Sequence, residues 1–490
     1  MSRSRVIPCS VPLCGPGRAG MTLVEMLVAT TATLILMAAI AQVFAVFGST
    51  VSGSRSVLDL DGRLRNVAWR LRSDLTGATA RTLPPLSPDS GEGYFELIEG
   101  PLTDYQDASN SGAALVTGTT PVGPTDVDDV LLFTTRNTET PFIGRAPTNT
   151  TNSAFKTDTF ESTVAEVAWF ARVNPGSTNP VTYTLYRKQL LVMGYVGADP
   201  FTANNVINSN TYGTTLADYY NAPCDISVRR ERSPSGSPDL LLPNSLSDLT
   251  RRESRFMHNI AGLTATGFPF AFVAHQTPST SLSAEVMPAA LSGLIFDSTS
   301  PRQGEDVVLD NVIAFDVRVF DPAAPVFVTT SGTPLVPGDP GFSNTPTASG
   351  AFVDLGHGVT TNSLLTGVVP HYAGYGDTRS GIVGSASLRR TYDTWSTHYE
   401  ADGRNNLPSN NGIVDEGTNG LDDDSDAVID EPDIDANGDG DTLDAGELGE
   451  AETSPPYPHA LRGIEVRIRC YEPASRQVRQ VTVRHSFVPH

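Results

Sequence analysis

A long apolar run near the N-terminus, which carries one carboxylate close to its start, constrains this chain more than any other feature. The run reads "MTLVEMLVATTATLILMAAIAQVFAVF" from residue 21, and the 22 residues from Met26 to Phe47 carry no charge. A helix of that length, rising about 1.5 Å per residue, crosses a hydrocarbon core of roughly 30 Å. The sequence therefore predicts a single membrane-spanning helix over residues 21–47.

Basic residues before this helix predict its orientation. Arg3, Arg5 and Arg18 precede the run, and no acidic residue does. Short basic flanks stay on the cytoplasmic side. We therefore expect a single-pass membrane protein, with its N-terminus in the cytoplasm and its head in an extracytoplasmic space.

The carboxylate of Glu25 needs an explanation, because a charge at the centre of a bilayer costs at least about 2.5 kcal/mol. An ordinary secretory signal has an apolar region of about 7–15 residues and a small-residue cleavage site, and this run is longer and lacks such a site. A lipoprotein signal is also disfavoured, since the residues before Cys14 are polar and interrupted by prolines. A plain signal anchor with an incidental glutamate is a further alternative.

The residues "GRAG" followed by "MTLVEMLVA" resemble the processing site of type IV pilins and type II secretion pseudopilins. The resemblance implies that a prepilin peptidase cuts after Gly20 and that Met21 becomes the methylated first residue of the mature chain. It places Glu25 at the fifth mature position, where its carboxylate would pair with the α-amino group of a neighbouring subunit. Such pairing offsets the cost of burying the charge. The family most often has phenylalanine where this chain has Met21.

The helix is expected to continue beyond the membrane as an amphipathic segment over residues 48–80. Apolar residues recur there at steps of three and four, namely Val57, Leu60, Leu64, Val67, Leu71 and Leu75. Four arginines occupy the other face, namely Arg63, Arg65, Arg70 and Arg72. The prolines of "TLPPLSP" must end the helix.

After the helix the pattern becomes that of strands. Six segments alternate or are rich in β-branched residues: "DVLLFTT", "TVAEVAWFARV", "VTYTLYRKQLLVM", "VIAFDVRVFD", "GIEVRIRCYE" and "RQVTVRHSFV". They predict an α+β fold in which the long N-terminal helix packs on an antiparallel, β-rich head. The order of helix, aromatic strand pair ending in "TLYR" and later strands resembles the minor pseudopilin J group.

A short sequence pattern that occurs twice sets the expected domain boundaries. "IAFDVRVFDPAA" (313–324) and "IEVRIRCYEPAS" (464–475) align, and each is predicted to be a strand closed by a proline turn. The polar stretch between them has the composition of an inserted loop region. The predicted organisation is a leader at 1–20, transmembrane helix at 21–47, amphipathic helix at 48–80, β-rich head at 81–324, loop-rich insertion at 325–460 and C-terminal strands at 461–490.

The insertion contains an acidic segment, residues 412–450, whose carboxylates are spaced like calcium loops. One register places oxygen ligands at Asp422, Asp424, Asp426, Asp430 and Asp433. A second, overlapping register uses Asp433, Asp435, Asn437, Asp441 and Asp444. The pattern resembles helix-free calcium loops of dockerin and thrombospondin-like repeats and predicts Ca²⁺ as a bound ion. The alternative is a solvated acidic run, in which like charges keep the segment open.

Two cysteines, Cys224 and Cys470, remain if the leader is removed. In an oxidising compartment they could form a disulfide. The alternative is two separate buried thiols, which the alternation around Cys470 favours.

Composition excludes some functions. A net charge of −22 argues against nucleic acid as a partner. The chain has no Walker A, G-x-S-x-G or H-E-x-x-H motif, so we expect no enzyme activity.

These features together predict a non-enzymatic pilin-like minor subunit of a type II secretion-like apparatus, present at low copy or at a filament tip. Its expected partners are the membrane, other pilin-like subunits and a prepilin peptidase. One alternative is a minor pilin of a type IV pilus. Another is a pilin-anchored, calcium-dependent adhesin, for which Tyr392, Trp395 and Tyr399 would form an exposed aromatic platform.

Overall fold

A computed structural model describes residues 21–82, 91–99, 116–117, 120–121, 126–127, 129–147, 157–174, 181–194, 224–231, 240–250, 254–256, 304–337, 339, 341–343, 345–355, 357, 390–394 and 460–488. The chain divides into two units, Met1–Leu58 and Asp59–His490. The predicted leader, including Gly20, lies outside the described residues.

One helix, α1 (Leu23–Thr76), begins in the first unit and ends in the second. Its apolar part, Leu23–Phe44, is long enough to cross a membrane, and none of it is buried within the protein. The predicted N-terminal apolar helix is therefore confirmed. By length and composition it is either a single membrane span or a signal sequence.

The later part of α1 is amphipathic, as predicted. Five apolar residues of the stripe are buried, namely Leu60, Leu64, Val67, Leu71 and Leu75. The four arginines of the opposite face are exposed. The helix ends at Thr76 and not near residue 80. The next residue, Gly77, lies so close to Arg136 that a Cβ atom there would collide with the carbonyl oxygen of Arg136. The amide of Gly77 bonds to the carbonyls of Ser73 and Asp74 and closes the last turn.

The second unit is built on an antiparallel sheet of ten strands in the described part of the chain, with the order β14-β1-β4-β7-β8-β11-β15-β16 and with β12 and β13 paired to β11. Its strands are β1 (Phe95–Glu99), β4 (Val130–Arg136), β7 (Val164–Val173), β8 (Tyr183–Leu191), β11 (Val307–Val328), β12 (Pro334–Leu335), β13 (Ala348–Val353), β14 (Arg390–Asp393), β15 (Gly463–Glu472) and β16 (Gln477–Ser486). Three two-stranded ribbons accompany it, β2 (Val116–Thr117) with β3 (Thr120–Pro121), β5 (Phe142–Pro147) with β6 (Thr157–Ser162), and β9 (Val228–Glu231) with β10 (Leu240–Pro243).

All six predicted strand segments are strands, so the α+β class is confirmed. The prediction that each of the two aligned segments ends at its proline is right for only one of them. The second copy ends as predicted, since β15 stops at Glu472 before the turn to β16. The first copy does not end at its proline, because β11 continues through Pro322 to Val328. A shift of register between Asp321 and Pro325 accommodates the missing N–H groups.

The region 325–460, predicted to be a loop-rich insertion, supplies three strands to the sheet. β12 and β13 pair with β11, and β14 pairs with β1 at the edge of the ordered path. Short strands bounded by Gly, Ser and Pro have too few alternating residues to be recognised from sequence.

The two faces of the sheet carry different residues. The amphipathic part of α1 packs on one face, where its stripe joins a core that includes Phe133, Trp169, Phe315 and Val466. Alternate positions on the same strands point to the opposite face. That face holds buried charged side chains such as Glu96, Glu166, Lys188, Arg318 and Glu465.

Candidate functional site

The start of α1 holds the predicted processing and assembly residues. The amide of Glu25 donates to the hydroxyl oxygen of Thr22 at 3.2 Å. The carboxylate of Glu25 accepts from the amide of Thr22 at 2.9 Å and from its hydroxyl at 3.0 Å. This reciprocal pair is a capping box, in which residues three apart satisfy the first N–H groups of a helix. The spacing of Thr22 and Glu25 in "TLVE" is the sequence signal for this cap.

The capping box gives Glu25 partners within its own chain. The capping box also fixes the carboxylate of Glu25 in the first turn of the helix. The neighbouring apolar side chains of Leu23, Val24 and Met26 are exposed. A cut after Gly20 would leave the α-amino group of Met21 directly before Thr22. The site therefore combines an anion, a helix start and an exposed apolar surface.

The far end of the helix is fastened to the sheet by a buried ion pair. The guanidinium of Arg187 on β8 donates from two nitrogens to the two carboxylate oxygens of Asp74, at 2.7 Å each. The indole N–H of Trp169 on β7 donates to the same carboxylate at 3.0 Å. The side chains of Asp74 and Arg187 are only 4% and 3% exposed. We call these three residues the Asp74 clamp.

A second buried network lies on the opposite face of the sheet. Arg255 donates to Glu96 on β1 at 2.8 Å and to Asp393 on β14 at 2.9 Å. Its guanidinium carbon lies 4.1 Å from the ring centroid of Tyr94. Burial alone would lower the pKa of Arg255, but the carboxylates of Asp393 and Glu96 outweigh it and raise that pKa above its usual value. The cation thus joins the segment 254–256 to two strands.

The hydroxyl of Tyr94 extends this network. It donates to Glu166 at 2.7 Å, and Glu166 also accepts from the hydroxyl of Ser227 at 2.6 Å and from the amide of Phe256 at 2.8 Å. Burial, followed by the nearby charge of Glu166, raises the pKa of Tyr94 well above its usual value. Tyr94 therefore stays protonated and acts as a donor.

A group of buried carboxylates forms a third feature that the sequence analysis missed. Oxygen atoms of Glu99, Asp126 and Asp129 lie within 4.8 Å of one another, as do those of Asp126, Asp316 and Asp354. The alternation D-x-R in "FDVRVFD" places Asp316 and Arg318 on the face opposite the helix and was the signal available for this part of the group. Oxygen ligands of this kind suit Ca²⁺, but close carboxylates alone do not identify a metal site.

Protein donors compensate part of this group of carboxylates. The guanidinium Nε of Arg318 lies 3.0 Å from Asp316 and 3.2 Å from Asp354. Backbone amides also donate, from Val317 to Asp129 at 2.6 Å and from Leu355 to Glu99 at 3.1 Å. These contacts offset part of the cost of burying the carboxylates of Glu99, Asp129, Asp316 and Asp354.

The predicted calcium ligands, from Asp422 to Asp444, lie outside the described residues. Binding of Ca²⁺ there stays a prediction. Trp395 and Tyr399 of the predicted aromatic platform also lie outside, and Tyr392 is fully buried on β14. An exposed platform that includes Tyr392 is therefore wrong.

Of the two possibilities for Cys224 and Cys470, the structure has separate buried thiols and no disulfide. Cys470 lies opposite Val312, which in turn lies opposite Tyr183 at one end of β8. Cys224 precedes Asp225, whose carbonyl bonds to Leu191 at the other end of β8. Those ends are about 26 Å apart, whereas a disulfide needs Cα atoms within about 7 Å. Burial raises the pKa of the Cys470 thiol to about 12, so it stays protonated.

Comparisons of the chain with protein-family profiles, curated proteins and solved structures gave no match.

Proposed function

We propose that this chain is a non-enzymatic, pilin-like minor subunit of a type II secretion-like apparatus. In this proposal a prepilin peptidase removes residues 1–20, and α1 anchors the chain in the cytoplasmic membrane with the head outside. One observation carries the proposal. Glu25 is the single charged residue in an apolar, exposed helix start that directly follows "GRAG".

The division of α1 into an exposed apolar part and a buried amphipathic part supports the proposal. Leu23–Phe44 makes no internal core, so its apolar surface needs lipid or neighbouring helices to cover it. The stripe from Leu60 to Leu75 is buried in the core of the second unit. One helix therefore supplies both an anchor and a structural element of the head, which is what a membrane-rooted assembly subunit requires.

The same residues fit a minor pilin of a type IV pilus, since both assemblies use the same processing chemistry. The adhesin alternative has less support, because Tyr392 lies in the core and is not available to a ligand.

Processing is the direct test. We expect the mature chain from membrane fractions to begin at N-methylated Met21, as measured by intact-mass and N-terminal peptide analysis. Replacing Gly20 with leucine should abolish cleavage, whereas the same change at Gly17 in the same leader should leave it intact. A mature chain that still begins at Met1, or that begins after Phe47, would contradict the proposal.

The role of Glu25 is tested by a variant that keeps the cap but removes the charge. Glutamine also serves in capping boxes, so Glu25→Gln should preserve the helix start. If the carboxylate pairs with an amine of a neighbouring subunit, Glu25→Gln should nevertheless impair incorporation into the assembly, measured by co-purification with the other subunits. Thr22→Ala is the matched control, because it weakens the cap by about 1 kcal/mol and keeps the charge. Normal incorporation of Glu25→Gln would reduce Glu25 to a local cap.

A further inference from the structure

Three arginines from three elements surround a pocket beside the edge strand β16. Arg72 comes from α1, Arg467 from β15 and Arg484 from β16. The pocket has a volume of about 530 Å³, and Glu465, Gln480 and Thr482 complete its lining. A cationic pocket is unexpected on a chain whose net charge is −22.

Glu465 compensates only part of this charge. It accepts from Nε of Arg467 at 2.7 Å through one oxygen and from Nε of Arg484 through the other. Burial raises the pKa of Glu465. The hydrogen bonds and charges of Arg484 and Arg467 lower it by more than burial raises it, so the pKa of Glu465 is below its usual value. Asp316 lies 3.9 Å from Arg467 and is itself paired with Arg318. The carboxylate of Glu465, together with that of Asp316 at 3.9 Å from Arg467, thus faces three guanidinium groups.

The pocket opens onto the backbone edge of the sheet. β16 is the last strand of the ordered path, and Arg72 donates to the carbonyl oxygen of Thr482 there at 3.4 Å. Trp69 lies one turn before Arg72, on the same side of the helix, and is 67% exposed. An exposed tryptophan next to arginines has the composition of an interface hot spot.

We propose that this surface, made of Trp69, Arg72, Arg467 and Arg484, binds an acidic polypeptide segment of another protein. Guanidinium groups match carboxylates in shape and charge and can bind them through two hydrogen bonds. The charges are spread over a helix and two strands, so a chain carrying several carboxylates can contact more of them than one small anion can. No strand among the described residues pairs with the outer edge of β16, and this edge and the indole of Trp69 provide contacts for the backbone and apolar atoms of such a chain.

Binding of a labelled peptide of alternating aspartate and serine tests this inference. The full chain in non-ionic detergent is titrated and the anisotropy of the peptide is measured, with an asparagine–serine peptide as the neutral control. We expect binding of the acidic peptide only, and weaker binding as salt rises, because exposed charges are screened. Arg72→Gln combined with Arg484→Gln should weaken binding at least about tenfold, and Trp69→Ala should weaken it several-fold.

Arg136→Gln is the matched control. Arg136 is an exposed arginine on β4, five strands and about 24 Å from β16. Arg136→Gln removes one positive charge, as each of the two substitutions in the pocket does. It should leave the affinity for the acidic peptide unchanged. Coincident urea unfolding curves would show that the variants are folded.

Several outcomes would overturn the inference. The first is that the acidic peptide does not bind. The second is that Arg136→Gln loses as much affinity as the pocket variant. The third is that inorganic phosphate competes as effectively as the unlabelled peptide. If the peptide binds only after residues 421–444 are deleted, the pocket belongs to the acidic segment of the chain itself and not to another protein. The test uses a free peptide, so its result does not depend on the filament proposal.

Discussion

Replacing Asp74 with alanine is expected to lower the free energy of unfolding by about 3–5 kcal/mol, because it leaves the cation of Arg187 buried without its carboxylate. The indole N–H of Trp169 loses its acceptor in the same variant. Urea unfolding of the full chain in non-ionic detergent, followed by tryptophan fluorescence, measures the change. Trp169 is itself buried in the core and reports on this region.

Two further variants make the result specific. Asp59→Ala removes a carboxylate from the same helix, but its pair with Arg63 is exposed, so the expected loss is at most about 0.5 kcal/mol. Joint replacement of Asp74 and Arg187 by leucine should cost less than Asp74→Ala, because no unpaired charge is left behind. Equal unfolding curves for Asp74→Ala and Asp59→Ala would show that the clamp does not hold the helix.

Arg255→Met is the second variant with a large expected effect, again a loss of about 3–5 kcal/mol or more. Methionine keeps an unbranched apolar side chain but is shorter and carries no charge, so the fully buried carboxylates of Glu96 and Asp393 would lose their cation. The carbonyls of Leu249 and Thr250, which accept from Arg255, would lose their donor as well. The same urea titration measures the loss, and limited proteolysis should show earlier cleavage of the chain.

The matched control for Arg255 is Arg81→Met. Arg81 also forms an ion pair, with Glu92, but its side chain is 73% exposed. Such an exposed pair contributes little to stability. If Arg255→Met unfolded at the same urea concentration as Arg81→Met, the buried network would be irrelevant to stability.

The elements that were predictable from sequence are those specified by local periodicity. The steps of three and four from Leu60 to Leu75 require a helix with one buried face, and the alternation of "GIEVRIRCYE" requires a strand. Neither pattern depends on residues far away in the chain. The helix and the long strands could therefore be predicted, whereas the bulge at Pro322 could not, because it depends on the partner strand.

The buried charges could not be predicted for the same reason. Arg187 is 113 residues from Asp74, and Arg255 is 159 residues from Glu96. A charged residue at alternate positions of a strand usually indicates a solvent-facing side, and here a second layer of chain covers that side. At the helix start the pattern of Thr22 and Glu25 was local and could have been recognised as a cap.

The position of the Asp74 clamp makes the resistance of the head to mechanical force depend on direction. The helix enters the second unit at Asp59, and the clamp lies near its other end. A pull along the helix axis loads the stripe and the clamp in shear, so that all contacts must fail together. A pull across the axis peels the helix from its entry, breaking the contacts of Leu60 first and those of Asp74 last. The same contacts therefore resist a pull along the helix axis more strongly than a pull across it.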